Sequence, residues 1–233
     1  MKKNKLIALF VLIPCLVFAQ QEYSNIMLSS SEEQTLYFYD YQPDLIIKAD
    51  YSEMSEAENK YPEQLMQSVL SATNQEWVDY NTLGGAERSD QKPTSHFEKI
   101  KSMDKEKNYF ELHHKLTFNV GEIPTAIIKF FIYQDDSPPI SGAMVMQNVN
   151  GRWYKGSDAS LSSLSIIVMR LKSDVLGGVI LGDSNDENIN DLRNRVTTES
   201  GVELLKLEAE FTSWYSPVRN EGQLNLYIDS ETW

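Results

Sequence analysis

Histidine suits acid–base work near neutral pH because its ordinary pKa is ~6.5. This chain has three, His96, His113 and His114. His114 falls within Phe110, Leu112, His114, Leu116, Phe118 and Val120, which alternate with Tyr109, Glu111, His113, Lys115, Thr117 and Asn119. Alternate side chains of a strand share a face, so His114 is expected among the residues turned toward the core. An imidazole lining an apolar pocket, with a carboxylate in reach, performs general acid or base catalysis. The same pattern also describes a core histidine with a satisfied hydrogen bond. His113 is expected on the opposite face, so the pair neither lines one pocket nor chelates one metal. His96 has no discernible partner.

Other chemistries lack their residues. No His-Glu-x-x-His and no cysteine pair is present, so no metal site is expected. Asp183-Ser184-Asn185-Asp186-Glu187-Asn188 begins like a calcium loop. It has Asn188 where the sixth position requires glycine, and Asn194 where the twelfth requires a bidentate glutamate. It reads as a polar linker. Gly-x-Ser-x-Gly is absent. Gly84-Gly85 and Gly177-Gly178 read as helix ends instead of phosphate loops, and no cofactor is expected.

The N-terminus speaks for export. Lys2, Lys3 and Lys5 precede an uncharged apolar run from Leu6 to Phe18, and Val17-Phe18-Ala19 sets small residues at the cleavage position. That order describes a signal peptide, residues 1–19. The run falls short of the ~20 residues a membrane-spanning helix needs, so no span is expected in the mature chain. Cys15, the single cysteine, lies within it. Leu12-Ile13-Pro14-Cys15 is a poor lipobox, with proline where a small residue belongs, so lipid anchoring through Cys15 is the minor alternative. A mature chain without cysteine has no disulfide and no thiolate nucleophile. The formal charge of −13 grows more negative once three lysines leave. Nucleic acid binding, which needs clustered Lys and Arg, is thereby excluded.

The elements that must position these side chains follow from periodicity. Residues 62–81 open on Pro62 and carry Leu65, Val69, Ala72, Trp77 and Tyr80 at helical steps, with Gly84-Gly85 beyond. Residues 86–93 read as a charged loop. From Asn108 the period is two, and strands over 108–120, 126–133, 143–149 and 152–154 form an antiparallel meander. Its last turn is Asn150-Gly151, a strong hairpin signal. Earlier, Tyr37, Phe38, Tyr39 and Tyr41 favour a strand, Pro43 interrupts it, and Leu45-Ile46-Ile47 resumes. Such an aromatic edge suits a glycan or peptide as well as a core. Residues 160–175 read as one helix closed by Gly177-Gly178. Residues 183–191 read as linker, Ile189, Leu192 and Val196 as a short helix ending near Gly201, and 205–228 as a hairpin.

A helix followed by a meander ending in Gly151-Arg152-Trp153 resembles the cystatin-like or NTF2-like α+β class over residues 61–156. The resemblance implies a curved antiparallel sheet wrapped on a helix, with a pocket between them lined by Trp77, Phe110, Leu112, His114, Leu116 and Phe130. The expected organisation is an α+β domain over 20–182 and a C-terminal extension of helix and hairpin over 183–233. The expected function is an exported, non-catalytic binding or interaction protein for a protein, glycan or small molecule. The alternative is a small pocket enzyme of isomerase, dehydratase or hydrolase type using His114.

Overall fold

The computed structural model describes residues 21–29, 32–135, 137–156, 161–182 and 184–198. The expected signal peptide with Cys15 and the expected hairpin over 205–228 lie outside them. The fold is α+β. Six antiparallel strands stand side by side in sequence order: β1 (Gln21–Ser29), β2 (Glu32–Lys48), β3 (Asn108–Val120), β4 (Ile123–Gln134), β5 (Ile140–Val149) and β6 (Arg152–Lys155). The meander expected from Asn108 onward is present, closed by Asn150 and Gly151 at positive φ, as a two-residue hairpin turn requires.

Three helices interrupt the sheet between β2 and β3: α1 (Pro62–Ser71), α2 (Gln75–Asn81) and α3 (Thr94–Ser102). The single helix expected over 62–81 is therefore two. Ala72 is extended, and Asn74 caps a new start, its side chain accepting from the Trp77 amide at 2.8 Å. Asparagine at that position offers the orphan amides of a first turn an acceptor, and this outweighs the continuous apolar stripe.

After β6 come α4 (Ser162–Arg170), α5 (Ser173–Leu181) and α6 (Glu187–Thr198). The helix expected over 160–175 is broken at Leu171 and Lys172, both extended. Gly177-Gly178 lies inside α5 instead of behind it. A Cβ on Gly177 would stand 3.1 Å from the Phe38 ring and one on Gly178 2.8 Å from Ile189 Cγ2. The two glycines let α5 approach both the sheet and α6. The true terminus is Gly182, whose φ of 73° closes α5 in the left-handed conformation. The polar segment read as linker to residue 191 becomes helix at Glu187, and Ile189 packs into the core.

Helices cover both faces of the sheet. On one, Leu65 and Met66 of α1 meet Phe110, Leu112, Ala126, Ile128, Phe130, Met144 and Met146. On the other, α4, α5 and Ile189 of α6 meet Phe38, Leu116, Phe118 and Ile127. This explains why β4 is buried without a break from Ala126 to Phe131, since a strand covered on both sides loses its polar alternation. Among the described residues, no helix is long and apolar enough to cross a membrane.

One irregularity decides where the histidines point. The β3–β4 pairing slips between Leu112 and His114, and the β2–β3 pairing slips between Asp40 and Leu45. His113 is the extra residue, and in a bulge two consecutive side chains oppose one partner. Phe110 and Leu112 consequently face α1, whereas His114, Leu116 and Phe118 face α4 and α5. The single face expected for all five is two. The bulge is invisible in the sequence because both faces are covered, so the buried–intermediate alternation runs through it unbroken.

Candidate ligand-binding cavity

His114 is completely buried. Its Nε2 lies 3.0 Å from the Val168 carbonyl and its Nδ1 2.9 Å from Ser173 Oγ. A carbonyl only accepts, so Nε2 carries the proton and Nδ1 accepts from the serine hydroxyl. Burial, and then the nearby charge of Lys129, push its pKa down to about 3. Lys129, also buried, donates to the Leu171 carbonyl at 3.0 Å. Burial, with the charges of Lys172 and Arg170 behind it, lowers Lys129 to about 8. The two side chains thus satisfy carbonyls at the end of α4 that no helical amide reaches. That is a structural duty, and it occupies both nitrogens of the imidazole.

His113 lies on the same side of the sheet as His114, contrary to expectation, with its ring against Phe131. Its Nδ1 is 3.6 Å from Asp44 Oδ1 and its Nε2 3.2 Å from Glu111 Oε1. These three are the one group of potential metal ligands among the described residues. The carboxylates flank opposite nitrogens of one ring, whereas a bound ion would use a single nitrogen and draw both carboxylates to it. The arrangement fits an imidazole set between two carboxylates better than a metal centre.

The rest of the expected lining is dispersed. Trp77 is buried with Ala57 and Ala72, its Nε1 donating to Ser68 Oγ at 2.9 Å. Leu112 and Phe130 are core beneath α1, and Leu116 is core beneath α5. Of the six expected residues, Phe110 borders the cavity between the sheet and α1–α3.

That cavity, of about 310 Å³, lies between the sheet and the three helices that interrupt it, at the lower end of the range for small-molecule sites. Its apolar wall comes from Val69 and Leu70 at the end of α1, Ile100 of α3, Met103 just beyond it, Phe110 of β3 and Ile132 of β4. Apart from Phe110, these side chains are only half-buried. The cause is visible in α3, which drives just one side chain, Phe97, fully into the protein. It bridges the opening instead of filling it.

The polar rim is built just as locally. Gln75 of α2 accepts from the Lys92 amide at 2.9 Å and donates to Asp79 at 2.7 Å, and Asp79 also receives the Ser89 hydroxyl. This pins the loop that delivers Asp90 and Lys92. Lys99 and His96 come from α3 and Lys155 from the end of β6. Asp90 stands 3.6 Å from both Lys92 and Lys155, and Lys99 makes no ion pair among the described residues. Burial, then Lys92 and Lys99, hold the His96 pKa below its ordinary value.

At the inner wall, Asn81 is 2% exposed. Its Oδ1 receives Ser68 Oγ at 2.8 Å and Asn59 Nδ2 at 3.1 Å. Two donors fix the amide orientation, which leaves Nδ2 without a partner among the described residues. An unsatisfied buried donor is unfavourable by about 1–3 kcal/mol unless something accepts from it.

Sequence reasoning missed His96, Lys99, Asn81 and Ile132. One signal was available: Lys92, Lys99, Lys101, Lys105 and Lys107 form a basic stretch in a strongly acidic chain. Comparisons with family models, with curated proteins and with solved structures return no match.

Proposed function

We propose that this chain is an exported, non-catalytic binding protein that holds a small molecule in the cavity between α1, α3 and the sheet. The observation that carries this is the combination of half-buried apolar walls with a buried, unpartnered Asn81 donor. Voids and unsatisfied donors are both unfavourable in a packed core, and here they coincide. Among the described residues the cavity brings no catalytic constellation together, and His114, on the far side of the sheet, lends the enzyme alternative no support. Export rests on the Lys2-to-Ala19 pattern. Among the described residues the first strand, β1, begins at Gln21, beyond the expected cleavage point. The product is periplasmic or secreted, or lipid-anchored if Cys15 were its first residue. The order of strand, helix and four-stranded meander supports relating the fold to the cystatin-like and NTF2-like class.

The test uses residues 20–233 and the environment-sensitive dye 8-anilinonaphthalene-1-sulfonate. The folded protein should enhance its fluorescence saturably with one site. Ile132→Trp, which fills the cavity, should abolish the enhancement while the circular dichroism spectrum is kept. Equal enhancement by a folded Ile132→Trp protein would place the dye elsewhere and defeat the proposal. Mass spectrometry of the native protein's N-terminus tests export separately, with Gln20 the expected first residue.

A further inference from the structure

We infer that the cavity selects an amphipathic monocarboxylate, a molecule with an apolar chain or ring of medium size and one anionic end. The inference rests on the cavity reading above and adds the chemistry of its occupant. Its basis is the excess of lysine over carboxylate at the cavity, together with the buried Asn81 amide donor.

Three lysines, Lys92, Lys99 and Lys155, border the cavity against one carboxylate, Asp90. Asp90 is shared between two of them at 3.6 Å, and the third has no ionic partner among the described residues. This local excess of positive charge sits in a chain of net charge −13, so it is opposite to the protein's overall field. The buried amide oxygen at the inner wall is already used, since Asn81 Oδ1 takes two donors. The donors in excess are the Asn81 amide and the lysine ammonium groups, three of them against the one Asp90 carboxylate. A ligand that satisfies donors and complements positive charge is an anion with acceptor oxygens.

The apolar wall sets the other half. Val69, Leu70, Ile100, Met103, Phe110 and Ile132 offer no hydrogen-bonding side chain. An inorganic anion or a sugar would leave that wall wet, whereas a chain or ring desolvates it. The lowered His96 pKa agrees, since it reports burial together with the field of Lys92 and Lys99.

Decanoate, decan-1-ol and decyltrimethylammonium share one chain length and differ in charge at one end. Titration calorimetry on residues 20–233 should show decanoate binding with one site, roughly tenfold tighter than the alcohol, about the product of two or three partly exposed charge contacts. The cation should not bind. Lys99→Gln with Lys155→Gln should bring decanoate to within about threefold of the alcohol, leaving alcohol binding unchanged. Ile132→Trp, or Ile100→Trp if the first does not fold, should remove all binding. Equal affinity for acid and alcohol in the wild type, both lost on cavity filling, would overturn the carboxylate assignment and keep the cavity. Decanoate binding undiminished by either filling variant would overturn the cavity reading itself, and no binding by any of the three would overturn both.

Discussion

Replacing His114 by leucine separates its structural duty from catalysis. The substitution removes the donor to the Val168 carbonyl and the acceptor for Ser173 at a fully buried position. Two net hydrogen bonds and one stranded carbonyl amount to about 2–4 kcal/mol of lost stability at pH 7. The imidazole's pKa, down to about 3 in the folded protein, compares with ~6.5 unfolded. Between those values the unfolded chain binds the extra proton, so folded stability falls as pH falls. From pH 7 to pH 5 the wild type should lose about 2 kcal/mol through this one group. The leucine variant has no such group, and the gap between the proteins should shrink by that amount. Urea unfolding of both proteins at the two pH values, followed by circular dichroism, gives the difference directly, because other titrating groups cancel. A gap unchanged between pH 7 and pH 5 would mean His114 titrates as an exposed histidine does, and the burial argument would fail. Decanoate affinity should be unaffected.

Other perturbations bear on how the cavity is framed. Lys115 donates to Glu63 at 2.6 Å and Tyr41 donates to it at 2.5 Å, which ties α1 to the sheet. Burial works to raise the Glu63 carboxyl, but the Lys115 charge and these two hydrogen bonds hold it below its ordinary value. Lys115→Met should cost about 1–3 kcal/mol at neutral pH, discounted for partial exposure. That loss should fade as pH falls through the folded Glu63 pKa, which chemical unfolding at stepped pH would show. Trp77→Ala removes a buried indole and its bond to Ser68 and should destabilise by about 3–5 kcal/mol in the same assay. Gly178→Val drives a branched side chain into Ile189 and Ser184. It should destabilise by about 1–3 kcal/mol and increase hydrogen exchange in α6 before the sheet.

Periodicity made the β3–β6 meander legible, because alternating burial and the Asn150-Gly151 turn are local signals. It misjudged the helices where a local device overrode the apolar stripe. Asn74 restarts the helix after α1, and the pairing of α4's last carbonyls with His114 and Lys129 accompanies the break at Leu171. Neither partner is adjacent in sequence. The site was hidden for a related reason. A bulge at His113 exchanges the faces of β3, yet the pattern looks the same on both sides because helices cover each face. The cavity depends on a helix, α3, that does not pack fully, and incomplete packing leaves no periodic mark. The basic stretch from Lys92 to Lys107 carried the usable signal, legible as charge contrast but silent about Lys92 and Lys99 meeting Lys155 at the cavity.

The most direct test is methyl nuclear magnetic resonance of isoleucine-labelled residues 20–233 titrated with decanoate. Nuclear Overhauser contacts should run from the chain methylenes to Ile100 and Ile132, on the cavity wall, with Lys99 the nearest charge to the carboxylate. Contacts instead to Ile46, Ile123 or Ile140, the exposed isoleucines, would show surface adsorption and contradict a ligand held between α1, α3 and the sheet.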